Sequence, residues 1–497
     1  MSPARGAPVT GDLGDPTSRS WSSRLRAPWL AGTAVVGVAL LAHLPGYLHQ
    51  LTDTDEGAIA TMAMVLNRGG VLYRDVIDRK PPIPAFVYAG SFLLTGNHDL
   101  RPLHVVAALA LGASALVLAL CARRIAGAVA GWWAAGLLLA GAIAMQPHDA
   151  QAANFAHLAL LPGCCAIAAA RVGTRRSAIW AGVFVGVATL TRQTWIIGVL
   201  PAAFAAWTFG ARRWSRVAIV LGATALTIVS IALVVPLGSF WHWTFSGNAS
   251  VLEVAGSIAV EDRAAYTLEL FLLANVATCW LVARRGWRRT DLDLWMWVVA
   301  GLVAFAAGFR FFGHYWLQVL PPLCVLGGLG AARCTPRLRR TLLVVVAVPA
   351  VAAWTVALVT TPAIGGRTIP ALARYVDAHT RADDLVTVWG SAPDLYWDAG
   401  RSPGGSFVTT DFLVGKTAFR RDGKARLRDA TPGARSTFLR SLRAHPPRIF
   451  LDTSTARIRG YRNYPLSVIP SVEKFVHSHY RRAGKLRGVT IYELRRR

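Results

Sequence analysis

Apolar residues in this chain fall into long runs separated by short, Arg-rich breaks, without the strict alternation of a half-buried strand. The runs occupy 28–48, 102–122, 125–145, 153–170, 177–191, 194–209, 217–238, 265–283, 292–309, 315–331 and 341–361. Most approach the ~20 residues that carry a helix across a bilayer, so the pattern predicts about eleven spans. A shorter run at 82–95 predicts a packed or re-entrant helix. Beyond 362 the pattern changes. The stretches 384–389 (DLVTVW) and 448–452 (RIFLD) predict strands, and 435–444 and 467–478 predict helices. The fold class that follows is a polytopic α-helical membrane protein with a C-terminal α/β domain over 362–497.

Composition agrees with this reading. The chain is 54% hydrophobic and 16% charged, with a mean hydropathy of +0.41. A soluble domain carries more charge, and a disordered chain far fewer apolar residues. The net charge of +27 raises the question of nucleic acid. Basic residues here punctuate the apolar runs and do not gather as a patch, so the partner they indicate is the lipid bilayer.

The breaks set the orientation, because short cytoplasmic loops collect Arg and Lys. With residues 1–27 as a cytoplasmic tail followed by an uncleaved anchor, the inside connections are 123–124, 171–176, 212–216, 284–289 and 333–340. Together with the tail they hold 20 basic residues, whereas the outside parts of the membrane domain, spans included, hold eight. An odd number of spans leaves 362–497 outside the plasma membrane. That region has 25 basic and 11 acidic residues, a net +14. It suits either anionic headgroups or a solvated basic face. The six cysteines form no CxxC pair and read as small buried hydrophobes.

The unusual polar residues gather on the outer side. The first outer loop, 49–101, opens with Asp53, Asp55 and Glu56, followed by an amphipathic helix to about Asn67 and then by Asp78-Arg79-Lys80-Pro81-Pro82. A second outer turn holds His148 and Asp149, with Asn154 and His157 just beyond. A third is Thr191-Arg192-Gln193, and a fourth Arg310-Phe311-Phe312-Gly313-His314-Tyr315. Glu269 lies about one turn inside its span. Ionisable groups at membrane depth line a cavity or pair with one another. A channel or pump distributes them along its path, whereas here they collect at one face, as chemistry on a lipid-held substrate would require.

These residues resemble the GT-C glycosyltransferases, the superfamily that includes protein O-mannosyltransferases and the aminoarabinose transferase of lipid A. The resemblance rests on Asp55-Glu56 after the first span, Lys80-Pro81-Pro82, Arg192-Gln193 and His314-Tyr315 with Leu320-Pro321-Pro322. In the C-terminal region it adds Val388-Trp389-Gly390 and Pro446-Pro447. It implies a donor in which a sugar is linked to a polyprenyl phosphate, and a transfer that inverts the anomeric carbon. Asp55 would be the base, with Glu56 as a catalytic neighbour that either orients it or faces away, and Lys80 would contact the donor phosphate. Arg192, Arg310, His314 and Tyr315 would bind phosphate or sugar.

Other readings of the same residues stay open. Asp53, Asp55 and Glu56 also suit the cap of a helix starting near Gly57, and Lys80 suits a snorkelling interface anchor. Relatives often carry a second acid one turn past Asp149, where this chain has Asn154, so Asp149 is the candidate second carboxylate. A divalent metal held by Asp55, His148 and Asp149 has no enforcing ligand spacing, and no metal or other cofactor is expected beyond the lipid-linked sugar. Trp389, Asp394, Tyr396 and Trp397 suit either a sugar-binding surface or domain core. The function expected is sugar transfer to a cell-wall glycan, a glycolipid or a secreted protein. The alternatives are a transporter or flippase of lipid-linked sugars, and a non-catalytic envelope scaffold.

Overall fold

A computed structural model describes residues 21–96, 99–247, 260–362, 364, 366–416 and 427–495, with side chains from residue 32 onward. Most of the N-terminal tail expected at 1–27 therefore lies outside the described residues. The predicted apolar runs are helices. Helix α1 (Trp21–Ala42), α2 (Thr54–Asn67), α3 (Ile83–Thr95) and α4 (Arg101–Ala144) come first. They are followed by α5 (Phe155–Ala170), α6 (Arg175–Thr191), α7 (Val199–Thr208), α8 (Arg213–Ser230), α9 (Val260–Ala274) and α10 (Val276–Arg285). Then come α11 (Leu292–Ala306), α12 (Leu320–Ala331) and α13 (Pro336–Val359).

Helix α4 is two helices in one continuous stretch. Ala126 and Gly127 leave helical geometry, with φ of +82° at Gly127, a conformation glycine adopts without a Cβ clash. The second limb folds back on the first, so a Cβ on Gly131 would lie 2.7 Å from the Ala119 carbonyl oxygen. The two runs separated at Arg123-Arg124 correspond to these limbs. Elsewhere the runs are shortened by 3₁₀ turns at Gln193–Gly198, Ile231–Leu233 and Gly313–Gln318. Among the described residues three helices are long and apolar enough to cross a membrane, or four when α9 and α10, bent by 77°, count together. Eleven crossings thus remain an expectation drawn from the sequence.

The basic residues that the sequence assigns to inside connections also serve packing. Arg285 forms a two-bonded pair with Asp291 at 2.8 and 3.0 Å, and Arg171 pairs with Asp293. Buried Arg216 donates to the carbonyls of Ala206 and Gly173. Buried charges persist when paired and hydrogen-bonded in this way.

The C-terminal region contains α14 (Thr368–His379), β1 (Val386–Trp389), α15 (Ala434–Ala444), β2 (Ile449–Asp452), α16 (Pro470–His479), β3 (Tyr480–Leu486) and β4 (Val489–Leu494). The sheet order is β1-β2-β4-β3, with β1 parallel to β2 and the other two pairs antiparallel. Helices α15 and α16 agree with the predicted 435–444 and 467–478.

This region is docked on the stretch 54–83, part of the loop that the sequence assigns to the outer side. The backbone N–H of Ile77 donates to the Ser406 carbonyl at 2.7 Å, and that of Val408 to the Ile77 carbonyl at 3.2 Å. Thr61 Oγ1 donates to the Pro393 carbonyl at 2.8 Å. One apolar cluster takes in Ala58, Met62, Tyr73, Val76 and Ile77 from the loop together with Trp389, Phe407, Phe412 and Phe438. Trp389, Asp394, Tyr396 and Trp397 are all buried, which is the domain-core arrangement.

Gly57 packs tightly against this region, since a Cβ there would lie 2.6 Å from Asp394 Cβ and 2.8 Å from its Cα. The neighbour is backbone of the short helix Asp394–Asp398 and has little room to give. Overpacking of this kind costs ~1–3 kcal/mol. The Gly57→Leu protein should therefore melt at lower temperature in detergent and be cleaved faster by protease within 360–368. Wild-type melting and cleavage would show that the contact contributes nothing.

Candidate active site in the outer loops

A cavity of about 400 Å³ lies among the loops that the sequence assigns to the outer side. Its wall includes Asp55, Arg79, Lys80, Arg192, Arg310, His314 and Tyr315, with Phe155, Thr194 and Phe245 among the other lining residues. Six of the eight expected site residues thus meet at one space. The two that do not, Glu56 and Asp149, lie in a layer behind it.

Asp55 is positioned by the start of α2. Asp53 is the N-cap and accepts from the Asp55 backbone N–H at 3.3 Å, while Glu56 completes a capping box by accepting from the Asp53 N–H at 3.0 Å. Capping and a cavity role therefore fall to different acids. Asp55 turns to the cavity, where Lys80 Nζ lies 2.6 Å from its Oδ1. Lys80 also pairs with Asp78 at 3.4 Å and lies 4.6 Å from the centre of the Phe155 ring. Burial works against its charge, but Asp55 and Asp78 outweigh burial and raise its pKa. Tyr73, buried and at φ +65°, donates its hydroxyl to the Lys80 carbonyl at 2.7 Å.

Arg192 ends α6 in extended geometry and is buried, its Nε donating to Thr194 Oγ1 at 3.1 Å and its guanidinium 3.9 Å from the Tyr315 ring centre. Its Nη1 makes no hydrogen bond among the described residues. Arg310 sits between Phe309 and Phe311, at φ +52° and +47°. Left-handed geometry at bulky residues stores strain and clusters at functional sites. Burial and the nearby Arg79 bring the Arg310 pKa down to about 10, so the side chain stays charged at neutral pH.

Glu56 is fully buried. One oxygen accepts from the Thr52 and Asp53 N–H groups at 2.7 and 3.0 Å and from Thr52 Oγ1. The other accepts from the Ala153 N–H at 2.8 Å and His104 Nε2 at 2.9 Å. His104 Nδ1 meets the Gly46 carbonyl at 2.6 Å. Both partners of that ring are acceptors, so both of its nitrogens carry protons. Glu56 ties three chain segments together and is off the cavity wall, a correction to its expected place beside Asp55 in the chemistry. His104 and Arg79 were not among the expected residues. The signal for His104 was a lone ionisable group in the first turn of a span.

Asp149 is likewise one layer back. Its Oδ1 accepts from His314 Nδ1 at 2.7 Å and its Oδ2 from the His314 backbone N–H at 2.8 Å. The expected place of Asp149 on the cavity wall is therefore corrected: it lies behind His314. Asp53 accepts from Asn154 Nδ2 at 3.1 Å, and burial, Asp55 and Asp149 push its pKa up to about 7. Asp53, Asp149 and His314 bring one ligand atom each within 4.8 Å, the span a metal ion needs. In this structure the His314 Nδ1–Asp149 Oδ1 bond and the Asn154–Asp53 contact link them as a hydrogen-bonded set. Of the trio Asp55, His148 and Asp149, for which no metal was expected, His148 is turned elsewhere, its Nε2 2.9 Å from Thr360 Oγ1.

The family model of dolichyl-phosphate-mannose-protein mannosyltransferase matches residues 79–240, the stretch that holds Lys80, Asp149 and Arg192. ArnT from Cupriavidus metallidurans bound to undecaprenyl phosphate matches with a TM-score of 0.63 at 17% identity, over 94% of this chain and 98% of that one. Its apo state gives 0.61 at 16% identity, with the same coverage. The archaeal oligosaccharyltransferase AglB from Archaeoglobus fulgidus, in complex with an inhibitory peptide and a dolichol-phosphate, matches with a TM-score of 0.51 at 11% identity, over 96% of this chain and 75% of that one. No curated protein matches the sequence. The resemblance read from the outer-loop motifs is borne out: the chain has a GT-C-like fold, that of ArnT.

The raised Asp53 pKa gives a stability prediction. The folded state holds this proton more tightly than the unfolded chain, whose value is near 3.8. The stabilisation from protonated Asp53 is full below that value and is lost as pH rises through about 7. Asn caps a helix as well as Asp, so Asp53→Asn should melt higher than wild type by a margin that grows from about pH 4 to pH 7 and then levels off. A margin independent of pH would contradict the assignment.

Proposed function

We propose that the chain is a membrane glycosyltransferase that moves a sugar from a polyprenyl-phosphate donor to a hydroxyl acceptor of the cell envelope. In this reading the helical part crosses the plasma membrane about eleven times, and the cavity and residues 362–497 face outward. The observation that carries it is the wall of the cavity, on which one carboxylate, Asp55, is paired with a lysine among three arginines. A phosphodiester donor bears one negative charge, and the departing lipid phosphate gains a second as its bond to the sugar breaks. Cations fixed around that oxygen therefore stabilise the transition state more than the bound donor. The fold shared with ArnT, which has been crystallised with undecaprenyl phosphate, supports the same donor class.

The chemistry then turns on Lys80. Donor phosphate and Asp55 compete for one ammonium group, with Arg192 and Arg310 as further phosphate ligands and Tyr315 backing Arg192. When phosphate takes Lys80, Asp55 loses its partner and becomes the base for the acceptor hydroxyl on the opposite face of the sugar, which inverts the anomeric carbon. The acceptor is a cell-wall glycan, a glycolipid or a secreted protein. Membranes containing wild type should transfer label from polyprenyl-phosphate sugars to envelope acceptors. Asp55→Asn and Lys80→Met should each lose at least ~10²-fold. Undiminished transfer by Asp55→Asn at equal expression would sink this mechanism.

A further inference from the structure

The Asp149–His314 pair has a chemistry that the proposed mechanism leaves unused. Asp149 accepts only, so Nδ1 of His314 carries a proton and Nε2 is the nitrogen left for substrate. Nε2 makes no hydrogen bond among the described residues, and the ring lines the same cavity as Lys80 and Arg192. The ring is held in its plane by Phe312, parallel at 5.7 Å, and by Tyr315, edge-on at 5.0 Å. A histidine oriented through one nitrogen by a carboxylate, with the other facing a reaction space, is arranged for proton transfer.

We propose that His314, oriented by Asp149, is the general acid that protonates the departing lipid phosphate. The inference rests on the polyprenyl-phosphate reading. The bond between the anomeric carbon and the phosphate oxygen breaks, its electron pair goes to that oxygen, and the oxygen takes the Nε2 proton. The acceptor oxygen bonds to the anomeric carbon and releases its proton to Asp55. Solvent then returns a proton to His314 and removes one from Asp55, so the net transfer is from acceptor hydroxyl to lipid phosphate. His314 is the catalytic residue and Asp149 its positioning residue.

The surroundings favour the protonated form of His314. Burial lowers its proton affinity, but Asp149 more than restores it, Asp53 adds to it and Arg192 opposes, for a net rise above 6.5. The groups facing it are Asp149 after α4, Asp53 before α2, Arg192 at the end of α6 and His157 in the first turn of α5. Lys80, Arg79, Arg310 and Tyr315 share the cavity wall. The protonated form is the active one, so transfer falls as pH rises through the raised value.

The test measures kcat and KM against pH for full-length wild type, His314→Gln and Asp149→Asn. Each is assayed with a polyprenyl-phosphate sugar and with its non-bridging phosphorothioate analogue, whose leaving group is less basic. Wild type should show a descending limb above pH 6.5. Asp149→Asn should move that limb to lower pH. His314→Gln should lose it, drop about 10²-fold in kcat with donor KM little changed, and recover part of the deficit with the phosphorothioate. A retained limb in His314→Gln, or an equal deficit with both donors, would overturn the proposal. So would activity abolished by a chelator and restored by a divalent ion, which would assign Asp53, Asp149 and His314 to a metal. If wild type transfers from no polyprenyl-phosphate sugar, the donor reading itself fails and this proposal with it.

Discussion

The contact between Lys80 and Asp55 is the interaction on which the site depends. At 2.6 Å, with both side chains about a quarter exposed, it is a charge-assisted bond in a partly dry setting, stronger than a surface ion pair and still reachable by a ligand. Each partner is fixed from behind. The capping box of α2 and the buried Glu56–His104 pair hold Asp55 in place. The Tyr73 hydroxyl holds the Lys80 backbone, and Asp78 offers the ammonium a second partner. Removing either member leaves the other charge without its main partner, which is the expensive way to break such a pair.

Around that pair the outer loops concentrate charge that would be destabilising without a ligand. Arg192 and Arg310 lose water on burial, and Arg310 is held between two left-handed aromatic residues. In the proposed reaction an anionic donor would compensate for these features, an arrangement of the kind that preorganised electrostatic catalysis requires. The net +27 of the chain is therefore not what marks the site. Most basic residues lie in connections, where several are paired or bonded to carbonyls, and in the C-terminal region.

Much of this was legible in the sequence, and the misses have physical reasons. Long apolar runs specify helices however they bend, so element positions came through, while the 3₁₀ breaks depend on packing the runs do not encode. Asp55 and Glu56 were read together because they are adjacent, yet a helix turns about 100° per residue, which sends one acid to the cavity and the other into the core. The partners of Glu56 come from 97 and 48 positions away, at Ala153 and His104, and only folding brings them near. Asp149 looked like a second cavity acid until His314, 165 residues on, took both its oxygens. Strand β3 escaped prediction because YRRAGKL is an exposed, Arg-rich edge with no apolar alternation, whereas the continuous apolar cores of β1 and β2 are visible in one dimension.

The central claim, that phosphate and Asp55 compete for Lys80, is tested most directly by the affinity of purified protein for polyprenyl phosphate alone. Asp55→Asn removes the competing charge and keeps the side-chain shape, so it should bind the lipid phosphate more tightly than wild type, while Lys80→Met binds it more weakly. Weaker or unchanged binding by Asp55→Asn would contradict the account.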